Sequence, residues 1–474
     1  MAGEESTRRG GLRGSVKLWG GRFRAPTAPE LERLGHSIHF DRRLWAEDVD
    51  VNRAYARELH AVGLLGDNEL ETLLAGLDRV GERLREEPPL DDEDIHTAVE
   101  RTLAEEISPE IAAKLPTGRS RNDLAATELR IYVARAIAVR IEELRRLQSS
   151  LVEKAKAHTK TMLPGYTHLR RGQPVVFAQY LLAYFWALER DRSRLAAARS
   201  RCRQLPLGAG ALAGNPFGVD RKRLAEALDF DGVLPNSIDA VSARDHLIEV
   251  LTAAAILGTH LSRMAEDLIL FSSAEFGFVS LDERYATGSS IMPQKQNPDG
   301  LELTRGKAGR LIGDLVALLT AVKGLPTGYQ RDLQEDKEPV FDALDTLALV
   351  LPVMDGIVRT LVVNEHAMAE ALSSDLLATD LAEYLVRKGV PFRTAHETVG
   401  RVLALASEMG VEPQALSLEQ LEEISSAFDD DVTSVWSFEA SIALRDTEGG
   451  VSPRALEEQL TKAFRALDTP ADPE

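Results

Sequence analysis

The sequence holds one cysteine, Cys202, in 474 residues, which excludes an intramolecular disulfide and suits a reducing compartment. Arg201 and Arg203 flank it and could lower its pKa, but a small half-buried thiol on a helix is the simpler reading. Positive charge is also short. Lysines and arginines number 56 against 75 aspartates and glutamates, a formal net charge of -19. A phosphate backbone requires the opposite balance, so nucleic acid is excluded as a partner. No stretch approaches the ~18 consecutive apolar residues of a transmembrane helix, so a water-soluble chain without a membrane partner is expected. The opening "MAGEESTRRGGLRGSVK" has no apolar core; residues 1–16 therefore read as a disordered tail without a secretory signal, and the expected location is cytoplasmic.

Alternating β-branched runs are scarce as well, and helical periodicity takes their place. Leu247, Val250, Ala254, Leu257, Leu261, Met264 and Leu268 recur at spacings of three and four, the seam of a helix facing another helix. Similar patterns cover residues 124–158, 175–203, 301–322 and 339–363, separated by Gly/Pro breaks such as "MLPGYTHLRRGQP" and "GLPTGYQ". The fold class is mainly α: an elongated central helical bundle with smaller N- and C-terminal helical domains. The expected boundaries are 17–118, 119–367 and 368–474. In the last of these, "LATDLAEYLVRKGVPFRTAHETVGRVLALASEMG" reads as helix, Gly-Val-Pro turn and helix, and the end, "DTPADPE", as frayed. The middle helices carry apolar residues on more than one face, which points to a homo-oligomer.

Several apparent motifs exclude themselves. "GAGALAG" at 208–214 lacks the preceding strand and the spacing of a dinucleotide fingerprint. The ten histidines show no metal-ligand spacing and the single cysteine removes thiolate sites, so neither a metal nor another cofactor is expected. The acidic run Asp429 to Asp431 reads as a solvated turn or helix start.

Three polar segments fall in the breaks between helices. "TGRSRNDL" sets Arg119 and Arg121 around Ser120 at a helix start, with Asn122 and Asp123 following. That is either a carboxylate or phosphate site or a cap in which Asp123 pairs an arginine. "PGYTHLRRGQP" puts Thr167 and His168 in a Pro-Gly turn, where a loop histidine can carry a proton. "TGSSIMPQKQNPDG" places Ser289 and Ser290 on a glycine hinge, with Lys295 and Asn297 a few residues on. A lysine and an amide near a serine can hold a carboxylate and lower the serine's pKa until it acts as a base. No GxSxG elbow is present, so proton abstraction beside a carboxylate fits better than acyl transfer.

"GSSIMPQKQNP" resembles the signature loop of the aspartase/fumarase superfamily. With "KLWGGRF" (17–23), "DIHTAVERTL" (94–103), "TGRSRND", "GYTHL" and "RDLQEDKE" (331–338), the resemblance narrows to the argininosuccinate lyase family and runs from about Lys17 to Leu467. It implies a carbon-nitrogen lyase of arginine biosynthesis, a homotetramer with a twenty-helix core and active sites assembled from three subunits. The implied reaction is reversible cleavage of argininosuccinate to arginine and fumarate. Ser289 would be the base, followed by an aci-carboxylate dianion that expels the guanidino nitrogen. Lys295, Asn297 and Thr167 would stabilise the developing charge, and the Gly288–Gly300 loop would act as a lid. The same resemblance makes Ser37, Arg121, Asn122, Tyr329, Gln334 and Lys337 substrate-binding residues, and His168 the acid or its orienter.

Departures from the family pattern stand at Pro116, Leu124, Val99, Arg170, Gly172 and Gly35. They raise the alternative of a sister lyase that releases fumarate from another N-substituted aspartate. A non-catalytic structural relative is a third reading, opposed by Ser289, Lys295, Asn297 and His168.

Overall fold

The computed structural model describes residues 26–469. The expected 1–16 tail, the "KLWGGRF" motif at 17–23 and the last five residues lie outside them. The principal helices are α1 (Trp45–Ala61), α2 (Asp67–Glu86), α3 (Ile95–Glu106), α4 (Arg121–Ala157), α5 (Phe177–Cys202), α6 (Asp245–Ser272), α7 (Asp299–Val322), α8 (Lys337–Thr360), α9 (Ala378–Arg387), α10 (Phe392–Met409) and α11 (Pro453–Asp468). Strands are few and short. They form two-stranded pairs, among them β1 (Met162–Thr167) with β2 (Arg170–Val176) and β3 (Thr287–Gly288) with β4 (Gln296–Asn297).

The chain divides into two compact units. Unit 1 comprises residues up to Ala134 with 202–244 and 321–338; unit 2 comprises 135–201, 245–320 and 339–474. In unit 1, α1, α2 and α3 pack against one another. A Cβ at Gly76 would lie 2.7 Å from the Ile107 side chain and 2.9 Å from that of Leu103, so a larger residue on α2 would push α3 away.

In unit 2 the helix expected from the leucine seam forms as α6, and all seven seam residues are buried. Taken by average hydropathy rather than as an unbroken run, α6 is long and apolar enough to cross a membrane. Yet 56% of that window is buried inside the protein, as in a core helix. Gly258 lets α7 approach: a Cβ there would meet Leu311 at 2.7 Å. The C-terminal helix-turn-helix is present as α9 and α10, joined through Gly389 at φ 92°. Asp429 and Asp431 both pair with Lys388. Cys202 is fully rather than half buried.

The break at 162–176 is a hairpin, not a loop with a Pro-Gly turn. Pro164–Gly165 instead lies where the register shifts within β1, a bulge, and the reversal is made by His168 and Leu169, at φ 54° and 57°. A two-residue turn of this kind normally takes Asn-Gly, because left-handed backbone is unfavourable for residues with a Cβ.

Asp314 on α7 has a buried oxygen without a hydrogen-bond partner among the described residues. Burial, followed by the nearby Asp342 carboxylate, pushes its pKa from 3.8 up to about 7. A carboxyl that binds its proton more tightly when folded stabilises the fold below its unfolded pKa; that contribution is lost as pH rises through the folded value. Asp314→Asn should therefore flatten the fall in melting temperature between pH 4 and 7 and raise it at pH 8. An unchanged pH profile in a thermal-shift series would refute this.

Candidate active site

Unit 1 contains a cleft with about 350 Å³ of free space, lined by Ser37, Asp41, Glu93, Asp94, His96, Ser120, Arg121, Asn122, Ala125, Tyr329, Arg331, Gln334 and Lys337. Six of the residues singled out by the sequence meet here: Ser37, Arg121, Asn122, Tyr329, Gln334 and Lys337. They come from three stretches distant in sequence.

Helix starts build one wall. Asp94 caps α3, accepting from the Thr97 N–H at 2.8 Å and its hydroxyl at 2.7 Å. Its other oxygen takes Arg121 Nη1 at 2.8 Å, while Arg121 Nη2 donates to Thr97 Oγ1 at 2.8 Å. Burial pushes the Asp94 carboxyl up, but His96, Arg121 and the Thr97 donors outweigh it and hold it below the ordinary value. Ser37 Oγ donates to Asp41 at 2.5 Å, and Asp41 accepts the Ile95 N–H at 3.1 Å. Burial raises the Asp41 carboxyl.

Asp123 does not pair with an arginine. The Ser120 N–H reaches one of its oxygens at 3.0 Å, and the Gly208 and Gly210 N–H groups reach the other at 3.0 and 2.8 Å. The glycines that mimic a nucleotide motif thus form an amide cradle for a carboxylate, at φ 88° and 61°. Arg119 leaves the cleft and lies over the Tyr55 ring, 5.4 Å from its centroid. Asn122 donates to the Ala211 carbonyl at 3.1 Å.

The opposite wall is the segment Tyr329–Lys337. Asp336, fully buried, is paired with Arg244 and accepts from Lys337 Nζ at 3.0 Å. Burial works against its charge, yet the two cations hold its pKa low. Arg331 donates to the Gly35 carbonyl at 2.7 Å, and a Cβ at Gly35 would sit 3.3 Å from that guanidinium. Cations, carboxylates and amide donors therefore interleave in one cleft, a lining suited to a ligand with both carboxylates and an ammonium or guanidinium group.

Asp41, Asp94, His96 and Arg331 were not singled out from the sequence as site residues, although three of them lie within quoted motifs. His96 also joins Asp48 and Glu128 in a buried grouping of metal-ligand types. Its members come from three helices, so no local spacing could reveal it. His96 Nδ1 lies 2.8 Å from Asp48 Oδ2 and 3.4 Å from Glu128 Oε2. These atoms face each other as an ion-pair cluster.

The remaining five candidates lie in unit 2. Thr167 and His168 are exposed at the hairpin tip. His168 borders a second cleft with Tyr166, Tyr180, Tyr184, His260 and Arg263. Non-glycine residues held at positive φ concentrate at functional sites, where surrounding structure maintains the strain.

Ser289, Lys295 and Asn297 occupy the loop closed by β3 and β4. Lys295 is exposed, as are Ile291 at 82% and Met292 at 40%. Ser289 Oγ accepts the Met292 N–H at 3.1 Å and the Ile291 N–H at 3.3 Å. Two donors on one hydroxyl oxygen favour its ionised form.

The departures from the family pattern mostly miss the cleft. Leu124 is 2% exposed and Val99 1% exposed, both in the apolar core. Neither they nor Pro116 line the cleft, and Arg170 and Gly172 are exposed on the hairpin.

The sequence matches the family model described as Lyase over residues 21–313, and the one described as Argininosuccinate lyase C-terminal over 375–443. It is 50% identical to the argininosuccinate lyase of Roseiflexus sp. (strain RS-1), covering 95% of this chain and 100% of that protein. It is 44% identical to the probable argininosuccinate lyase of Schizosaccharomyces pombe, over 96% and 99% of the two chains. The structure is similar to that of EDDS lyase in complex with formate, with a TM-score of 0.83 and 30% identity over 94% and 91% of the chains. It also shares its fold with a class II fumarase from Schistosoma mansoni, at a TM-score of 0.74 and 16% identity over 88% and 93%. With a family model over most of its length and near-complete relatives at half identity, the chain belongs to the argininosuccinate lyase family of the aspartase/fumarase superfamily.

Proposed function

We propose that this chain cleaves argininosuccinate reversibly to arginine and fumarate, with Ser289 as the base. The alkoxide removes the proton beside the succinyl carboxylate, the carbanion is held as its aci-carboxylate form, and the carbon-nitrogen bond then breaks toward the guanidino group. The observation that carries the role of Ser289 is the pair of backbone donors on its Oγ, which lowers the free energy of the alkoxide. Lys295 and Asn297 ride on the same loop, whose exposed apolar tip suits a lid that closes over substrate. Ser37, Arg121, Asn122, Tyr329, Gln334 and Lys337 bind the substrate's charged ends, and Thr167 and His168 present donors from the strained hairpin.

The cleft lining includes none of Ser289, Lys295, Asn297, Thr167 and His168. A homotetramer in which separate subunits bring these groups together accounts for that dispersal. Ile312, Val316 and Leu319, 45–55% exposed on α7, offer an apolar stripe for subunit association. The cytoplasm suits a chain with one buried thiol. Of the four replacements that motivate an altered substrate, Leu124, Val99 and Pro116 stand outside the cleft, while Arg170 lies on the hairpin that carries Thr167 and His168.

The test is absorbance in the fumarate band after mixing purified protein with argininosuccinate. A rise is expected; no rise from a folded tetramer would overturn the substrate assignment, and a panel of N-substituted aspartates would then be tried.

A further inference from the structure

We propose that Tyr285, seated on the backbone of α8 at Gly356, is a positioning residue for Ser289: it anchors the stem of the 289–296 loop, so that the tip can move while the serine keeps its place. This role rests on the reaction assigned above.

Gly356 is buried and lies inside α8. A glycine within a helix is unfavourable relative to alanine, so its place there calls for a packing reason. Tyr285 supplies one. A Cβ at Gly356 would stand 2.0 Å from the Tyr285 Oη, 2.2 Å from Cζ and 2.6 Å from Cε1. The phenol ring therefore fills the space that a side chain on α8 would need.

The far end of the loop lands on the same stretch of helix. A Cβ at Gly300, at the start of α7, would lie 3.2 Å from Ile357 Cδ1, 3.3 Å from Val353 Cγ1 and 3.5 Å from the Tyr285 carbonyl oxygen. Val353, Gly356 and Ile357 share one face of α8, at spacings of three and four. The residues just before and just after the loop thus share one seat.

Between that seat and Ser289 the chain is held throughout. Asp282 caps the short 3₁₀ turn Glu283–Tyr285, its side chain accepting the Arg284 N–H at 3.0 Å, and the Tyr285 N–H donates to the Asp282 carbonyl at 2.9 Å. Thr287 then pairs with Asn297 and Gly288 with Gln296, and the Thr287 hydroxyl donates to Asp299. Ser289 follows directly. From Ser290 to Gln296 every residue is exposed. The loop has a fixed stem and a solvated tip, and Ser289 sits at their junction. A shift of Tyr285 would pass through β3 to the serine hydroxyl, and a reacting group misplaced by about 1 Å can lose on the order of 10²-fold in rate. Neither Tyr285 nor Gly356 lines the unit 1 cleft, so binding of the substrate's charged ends should not depend on this contact.

Gly356→Ala puts a methyl group into the ring's seat, and Tyr285→Ala empties the seat. Each is expected to lower kcat by about 10²-fold. The KM for argininosuccinate and the calorimetric Kd for succinate should stay within about threefold of native, the split that marks a group misplaced for the transition state rather than lost to binding. Tyr285→Phe keeps the ring in place and should hold most of the native kcat. The double variant should be no slower than Tyr285→Ala alone, because both substitutions break one contact. Tyr285→Ala adds no bulk and carries the same test should the methyl group unfold α8. Trypsin cutting after the exposed Lys295 reads the stem without substrate, and should be about tenfold faster in both single variants as the stem opens locally.

Native kcat in Gly356→Ala would overturn the proposal, as would losses that multiply in the double variant. So would a fall in kcat matched by an equal rise in succinate Kd and a lowered melting temperature, which is a general loss of fold. Faster cutting in the variants of a protein that does not split argininosuccinate would sink the reaction assigned above and leave the anchor standing.

Discussion

Ser289→Ala is expected to lose about 10²- to 10⁴-fold in turnover, the range that general-base catalysis supplies, while the melting temperature stays native. The structural consequence of the change is small. Ser289 Oγ accepts two backbone N–H groups of its own loop, at 3.1 and 3.3 Å, and the loop is exposed, so water replaces the lost acceptor. What disappears is the hydroxyl carrying that pair of donors; Ser290, its exposed neighbour, makes no hydrogen bond of this kind among the described residues. Ser290→Ala is therefore the internal control and should keep most of the activity. Fumarate absorbance reads both. Ser289→Ala retaining more than a tenth of native turnover would remove the serine from the base role, and a larger loss in Ser290→Ala would transfer the role to the second serine.

Asp336→Ala is expected to lower the stability of the fold by about 3–5 kcal/mol, the range for removing one partner from a buried ion pair. Asp336 is fully buried between Arg244 and Lys337, whose side chains are 3% and 9% exposed. Without the carboxylate both cations stay buried and unpaired, and the low dielectric that made the pair strong makes the orphaned charges unfavourable. Lys337→Met should behave differently. Asp336 keeps Arg244 as counter-ion, so the fold survives while substrate affinity falls with the missing cleft donor. Chemical denaturation and succinate calorimetry distinguish the two: a destabilised Asp336→Ala beside a stable, weakly binding Lys337→Met is the expected pattern. Native stability in Asp336→Ala would show that the ion pair does not hold this wall of the cleft.

The helices were legible because their signal is local. Seven apolar residues at spacings of three and four specify one face of α6 whatever packs against it, and Pro, Gly and capping residues near the ends mark where each helix stops. The 162–176 segment was harder. Pro164 and Gly165 are the stronger turn formers by intrinsic preference, yet the pairing of Met162 with Val176 and Thr167 with Arg170 forces the reversal onto His168 and Leu169. A ladder of backbone bonds outweighed the preference of two residues, an effect no window around them contains.

By itself, then, the sequence determined the mainly helical class, the positions of the long helices, and the family through motifs that span the chain. Those are properties of neighbours along the chain or of short conserved-order patterns within it. Only the tertiary structure decided that Asp123 is cradled by Gly208 and Gly210, that Leu124 and Val99 are core residues, and that His96 lies over Asp48 and Glu128. Each depends on groups from separate elements meeting in a buried place, where desolvation makes every unpaired charge unfavourable and so dictates which partners stand together.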